Sequence, residues 1–275
     1  MLRDGKKPKR MKKSEQWEEA THAMKTDFRW QLDKDGKYLA WIFKQFLAGE
    51  MTGLLEGKAL LKAPTLNDAD FLASQIRDEI RHAKIYQRML QQFSASEYKV
   101  PFLLTKLVAP LSGRLWQEHC FIDKAVGEHW VLCTMAMLYE TTEDSRIKKT
   151  LATIASDELR HIEFGESKLK EALAIPFYKK YLLGLYYSNR LMISIFSFLV
   201  RQFFLIKKRN DLAAMTEIFF AKAVFILNKK LSFLFSVSIN THYPLRIWTL
   251  MIASRFFFLV RKLTFRRFYR GPQLN

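Results

Sequence analysis

The sequence predicts an all-α protein: a four-helix bundle over residues 36–176, followed by a basic, aromatic helical extension over 177–275. Three observations carry that expectation. Only 10 Gly and 7 Pro occur in 275 residues, while Leu, Lys, Glu, Gln, Met and Ala abound, a composition that favours helix. Apolar residues recur in alternating steps of four and three along four long stretches, which marks the buried stripe of a bundle helix. Finally, the hexapeptide RDEIRH at 77–82 returns as SDELRH at 156–161, each inside such a stretch.

The elements follow in chain order. Residues 1–35 read as a basic N-terminal arm; its start, MLRDGKKPKRMKK, lacks the apolar core of a secretory signal. Helices are predicted near 36–62, 66–93, 114–141 and 144–173. Pro64 separates the first two, with Thr65 or Asn67 available as an N-cap. A short polar TTED joins the last two, whereas 20 residues with two prolines (94–113) lie between the second and third. A short loop, a long crossover and a short loop give the connectivity of a ferritin-like bundle.

The stripes sharpen the expectation. They read Phe43, Leu47, Glu50, Leu54, Gly57, Leu61 in the first helix and Leu72, Ile76, Glu79, Ala83, Tyr86, Leu90 in the second. In the third they read Phe121, Ala125, Glu128, Leu132, Met135, Tyr139, and in the fourth Leu151, Ala155, Glu158, Ile162, Gly165, Leu169. Each stripe holds one glutamate where an apolar residue belongs. A lone buried carboxylate costs roughly several kcal/mol even after relaxation, and four facing one interior would also repel each other. Two divalent cations would neutralise them.

The histidines fit the same chemistry. His82 and His161 each follow a stripe glutamate by three residues, so each Glu–His pair shares one helical face and can hold one metal. Glu50 precedes Glu79 by 29 residues and Glu128 precedes Glu158 by 30, each after a glycine, so one helical hairpin is repeated as the next. The expected metal ligands, and with them the catalytic centre, are Glu50, Glu79, His82, Glu128, Glu158 and His161. Glu50 and Glu128 are expected as bridging or additional ligands. Mixed carboxylate and imidazole donors suit two Fe ions, with Mn the alternative, and O2 as co-substrate. Asp78 and Asp157 are candidates to hydrogen-bond the ligand histidines, with Arg81 and Arg160 anchoring them. Tyr86 and Tyr139 lie on the stripes within reach of the centre. His119, His129 and Cys133 are not expected to bind metal. Two cysteines without CxxC spacing point away from a disulfide framework and toward a reducing compartment.

The pattern Glu, ExxH, Glu, ExxH resembles the ferritin-like di-iron carboxylate proteins. Within them, AGEMTGLLEGK, KAVGEHW and DELRHIEFGESKLKEALAIPFYKKYLLGL look most like the demethoxyubiquinone hydroxylase family. That resemblance implies a membrane-associated, O2-dependent hydroxylase acting on a quinone ring, fed by an external electron donor or reductase. The chain differs in reading Cys133-Thr134-Met135 where that family carries a His-Tyr pair, and in the hundred or so residues after the fourth helix.

Those final residues are distinct in composition. Residues 177–275 carry 17 Lys/Arg against Asp211 and Glu217 alone, and 22 of the 39 aromatic residues. Helices are predicted near 177–207, 211–239 and 245–269. Arg190, Arg201, Lys222, Lys229 and Arg255 interrupt the apolar runs, so no confident transmembrane helix is expected. Aromatics interleaved with cations suit an anionic membrane surface, contacted through 177–270 from the cytoplasmic side. RNA is the competing partner, and packing onto the bundle with a solvated basic face is the third option. The functional expectation is therefore a di-iron monooxygenase acting on a small hydrophobic, quinone-like or lipid-derived substrate. The alternatives are an iron-oxidising or iron-binding ferritin-like protein, a di-iron hydroxylase acting on tRNA, and a non-catalytic adaptor.

Overall fold

The computed structural model describes residues 13–53, 57–93, 115–237, 239 and 245–264. Those residues form helices and connecting turns, with no strand among them. In chain order the helices are α1 (Lys13–Met24), α2 (Leu32–Gly53), α3 (Gly57–Leu60), α4 (Leu66–Gln92), α5 (116–141), α6 (Ser145–Ala174), α7 (Pro176–Ile206), α8 (Asn210–Phe235) and α9 (Leu245–Thr264). The expected long crossover at 94–113, the first residues of the basic arm and the end of the extension lie outside the described residues.

Local chemistry fixes the helix starts. Thr65 caps α4 by accepting a hydrogen bond from Asp68 N at 3.2 Å. Asp144 caps α6, accepting from the backbone N–H of Arg146 and Ile147. Pro176 stands at the first turn of α7, where its missing N–H costs nothing.

α2 packs along α4, and α5 along α6, while α4 meets α6. The predicted stripes are the faces these contacts bury: Phe43, Leu72, Tyr86, Phe121, Ala125, Leu151, Ala155 and Leu169 are all fully inside. Two apolar clusters result. One holds Phe43, Tyr86, Leu132, Met135, Leu151 and Ile162; the other holds Leu72, Phe121, Ala125 and Leu169. The four stripe glutamates lie at the level where one cluster gives way to the other.

Two sequence expectations need correction. The arm over 1–35 is helical from Lys13, because Ala20, Thr21 and Met24 form an apolar face that packs on α5 and α6, and Trp30 is buried behind them. The compositional boundary at 176 is likewise no boundary of the core. Tyr181, Leu182, Leu185 and Tyr186 of α7 share a cluster with Phe121 and Leu169, and Leu212 and Phe219 of α8 join the other.

The charges that interrupt the extension's apolar runs serve as ties. Arg201 of α7 bonds Glu217 of α8 at 3.1 Å. Lys222 and Lys229 of α8 reach the Lys25 carbonyl and Glu19 near α1, and Arg255 of α9 donates to Ser188 and Asn189 of α7. Gly184 permits the α7–α9 approach, since a Cβ there would lie 2.7 Å from the Leu250 carbonyl oxygen. One face of the C-terminal half of α7 stays uncovered, with Met192, Phe196, Phe198 and Leu199 more than half exposed, while Phe204 is buried. By length and composition alone, α7 is long and apolar enough to cross a membrane. It is the one such helix among the described residues.

Candidate metal centre

Each of the four packed helices delivers its stripe glutamate to one place: Glu50 from α2, Glu79 from α4, Glu128 from α5 and Glu158 from α6. His82 and His161 arrive one turn beyond Glu79 and Glu158. All six are buried except Glu128, whose side chain is 12% exposed. Their donor atoms form two quartets: Glu50, Glu79, His82 and Glu158 in one, and Glu79, Glu128, Glu158 and His161 in the other. Within each quartet the atoms lie no more than 4.8 Å apart.

Glu79 and Glu158 belong to both quartets, so they are placed to be shared. Glu50 and Glu128 each belong to one. They are expected as bridging or additional ligands, and membership of a single quartet each accords with the second of these. The reason is positional: Glu79 and Glu158 sit on α4 and α6, which meet, whereas α2 and α5 flank them on the outside.

The histidines present Nδ1 inward. His82 Nδ1 lies 3.3 Å from Glu158 Oε1 and 3.6 Å from Glu50 Oε2. His161 Nδ1 lies 3.2 Å from Glu158 Oε2 and 3.7 Å from Glu79 Oε1. Their Nε2 atoms face outward to aspartates of the opposite half: His82 to Asp157 at 3.3 Å and His161 to Asp78 at 3.4 Å. An Nε2–H donating to aspartate leaves the Nδ1 lone pair turned to the centre, the tautomer a metal ligand needs. Arg81 ties Asp157 at 2.6 Å and Asp78 at 2.9 Å, and Arg160 bonds both in return. The aspartates thus serve the other helix's histidine, a crossing that spacing along one helix does not reveal.

The electrostatics show how unfavourable the bare donors are. Burial first, and then the neighbouring Glu50 and Glu158, push Glu79 well above the usual carboxylate range. Burial and Glu158 do the same to Glu128. Burial opposes ionisation of Glu158 too, but the hydrogen bond with His161 and the adjacent His82 imidazole outweigh it and hold that carboxyl low. Burial lowers both histidines, and the carboxylates beside them, Glu158 for His82 and Asp78 with Glu158 for His161, raise them further than burial lowers them. His82 Nδ1, although flanked by two carboxylate oxygens, forms no well-made hydrogen bond. Four carboxylates and two inward lone pairs in this space fit a pair of divalent cations.

Two residues touch the centre that the sequence reading passed over. Gln75 Nε2 donates to Glu79 Oε1 and Glu128 Oε1, both at 3.2 Å. Lys124, fully buried, places Nζ 3.2 Å from Glu128 Oε1. Each stands four residues before a stripe glutamate, and a lysine one turn ahead of a buried acid was a usable signal. Lys124 and Glu128 lie in a π-helical segment, His119–Glu128, flanked by the α-helical Trp116–Glu118 and His129–Thr141. Such wider turns concentrate at functional sites.

The remaining candidates fall apart from one another. Tyr86 is fully buried, stacks on Phe46 at 5.1 Å and points its hydroxyl to Met135 Sδ at 3.6 Å. Tyr139 packs on Trp17 of α1, eleven residues or ~16 Å of helix beyond Glu128. His119 bonds Asp123 at 2.7 Å, and His129 bonds the Ala125 carbonyl at 2.8 Å. Burial raises both thiols, Cys120 and Cys133, to about 12, as inert core groups.

No protein-family model, curated protein or solved structure matches the chain.

Proposed function

We propose that the chain is a ferritin-like four-helix bundle holding two irons, an O2-dependent non-haem monooxygenase that hydroxylates a small hydrophobic, quinone-like or lipid-derived substrate. The observation that carries this reading is the pair of buried donor quartets sharing Glu79 and Glu158. When bound, two adjacent irons supply paired electrons for the reduction of O2. The chain's own residues do the rest. Asp78 and Asp157 fix the histidine orientation, and the apolar clusters on either side keep water from the oxidant. Electrons come from an external donor or reductase.

The exposed apolar face of α7 supports a place at an anionic membrane surface, with Phe225 and Phe233 of α8 and Ile252 and Phe256 of α9 also exposed. Salt-sensitive flotation with anionic liposomes is the expected behaviour; retention on RNA without liposome binding would replace the membrane in this reading.

The decisive test is iron analysis with Mössbauer spectra before reduction, after reduction and after O2 exposure. A coupled diferric signal that returns with each reduction and reoxidation is expected. A chain that binds no iron sinks the proposal, and one that accumulates iron beyond the two positions favours iron oxidation or storage.

A further inference from the structure

The two halves of the centre are related residue by residue, and two adjoining positions depart from that relation. Four residues before Glu50 stands Phe46; four before Glu128 stands Lys124. Four residues after His82 stands Tyr86; four after His161 stands Gly165. In the first half Phe46 and Tyr86 stack nearly parallel, 8° apart. In the second, Lys124 occupies the gap left by Gly165: a Cβ there would lie 2.5 Å from Lys124 Cβ and 2.9 Å from the Cys120 carbonyl oxygen. An aromatic pair is thus replaced by a buried ammonium whose Nζ lies 3.2 Å from Glu128 Oε1.

Resting on the di-metal reading above, we infer that Lys124 makes the two metal positions unequal, so that the Glu50/His82 position fills first and the Glu128/His161 position is the weaker, exchangeable one. A fixed positive charge beside Glu128 repels an incoming cation and compensates part of the negative charge that would attract it. Both effects act most strongly on the quartet containing Glu128, since charge interactions fall with distance. Gln75 donates equally to the shared Glu79 and to Glu128, so its bond to Glu128 Oε1 is the part that bears on this position alone. On the other side Phe46 stands in the place of Lys124 and Ile154 in the place of Gln75, and neither offers such competition.

The test is a stepwise titration of the metal-free full chain with Co(II), followed by absorbance and by metal content after gel filtration. The wild type is expected to bind in two resolved steps. Lys124→Met should tighten the second step by about tenfold or more and leave the first within about threefold, merging the two. Lys124→Gln, with circular dichroism to show the fold is kept, should move the same way by a smaller amount. An unchanged second step, a weakened one, or an equal shift of both steps overturns the inference, a weakened step meaning that Lys124 merely holds Glu128 in place. A wild-type chain that never takes a second ion overturns the di-metal reading itself, so the two failures are told apart.

Discussion

The half of the centre built by α2 and α4 and the half built by α5 and α6 offer the same donors and differ one turn away. Around Glu50 and His82 lie Phe46, Tyr86 and Phe43; around Glu128 and His161 lie Lys124, Gln75 and a glycine cleft. The repeated hairpin therefore keeps the same Glu and His donors and diverges in what sets the local field. The lesson is that near-symmetry in ligands does not imply equal affinity or equal reactivity at two positions.

The largest expected effect separates shared from terminal ligands. Glu158→Ala removes a carboxylate common to both quartets and should abolish binding of both ions. Glu50→Ala removes one terminal donor and should leave the Glu128/His161 position occupied. Metal content per chain after loading and desalting checks this; equal losses from the two substitutions would mean that Glu50 is shared as well.

Next in size is a pair of packing changes, one in each half. Tyr86→Ala empties a fully buried site lined by Phe43 and Phe46 and should cost about 3–5 kcal/mol. Gly165→Ala forces a methyl against Lys124 and the Cys120 backbone and should cost about 1–3 kcal/mol. Denaturant midpoints of the metal-free variants measure both. A neutral Gly165→Ala would show that α5 and α6 can move apart there, and the asymmetry would lose its steric basis.

Much of this was legible in the sequence, for an identifiable reason. Glu50, Glu79, Glu128 and Glu158 break an otherwise apolar period, and a broken period is visible without coordinates. Thr65 as a cap and the repeated Glu–His spacing were visible on the same grounds. The crossed Asp–His pairing was not, because Asp78 and Asp157 reach across α4 and α6, and spacing reports only on one helix. The π-helical segment was hidden since it changes the turn and not the composition. α1 was read as arm because its apolar face is narrow and set among Glu and Lys. In the extension, cations that looked solvated prove to tie α7, α8 and α9 to one another and to α1, which charge counting cannot detect.

The smallest expected effect is in pH, and its sign follows from the same groups. In the metal-free chain Glu79, Glu128, His82 and His161 are all raised, so the folded form holds protons on them that the unfolded chain releases at lower pH. Their contribution to stability is present in acid and lost as pH rises through the folded values. Metal must displace those same protons, so binding strengthens over that same rise. Two groups oppose the trend. Glu158, held low, loses its contribution only as pH falls below the ordinary carboxylate range. His129, pushed down to about 4 first by burial and then by Lys230, loses its contribution as pH falls below 6.5, but it does so with or without metal. The difference in Tm between loaded and metal-free protein therefore isolates the centre. That difference should widen steadily from about pH 5.5 to about pH 8. It should widen less in Glu128→Gln, which removes one raised carboxyl from the weaker half; a gain that stays flat with pH would mean the ions bind without displacing protons from these residues.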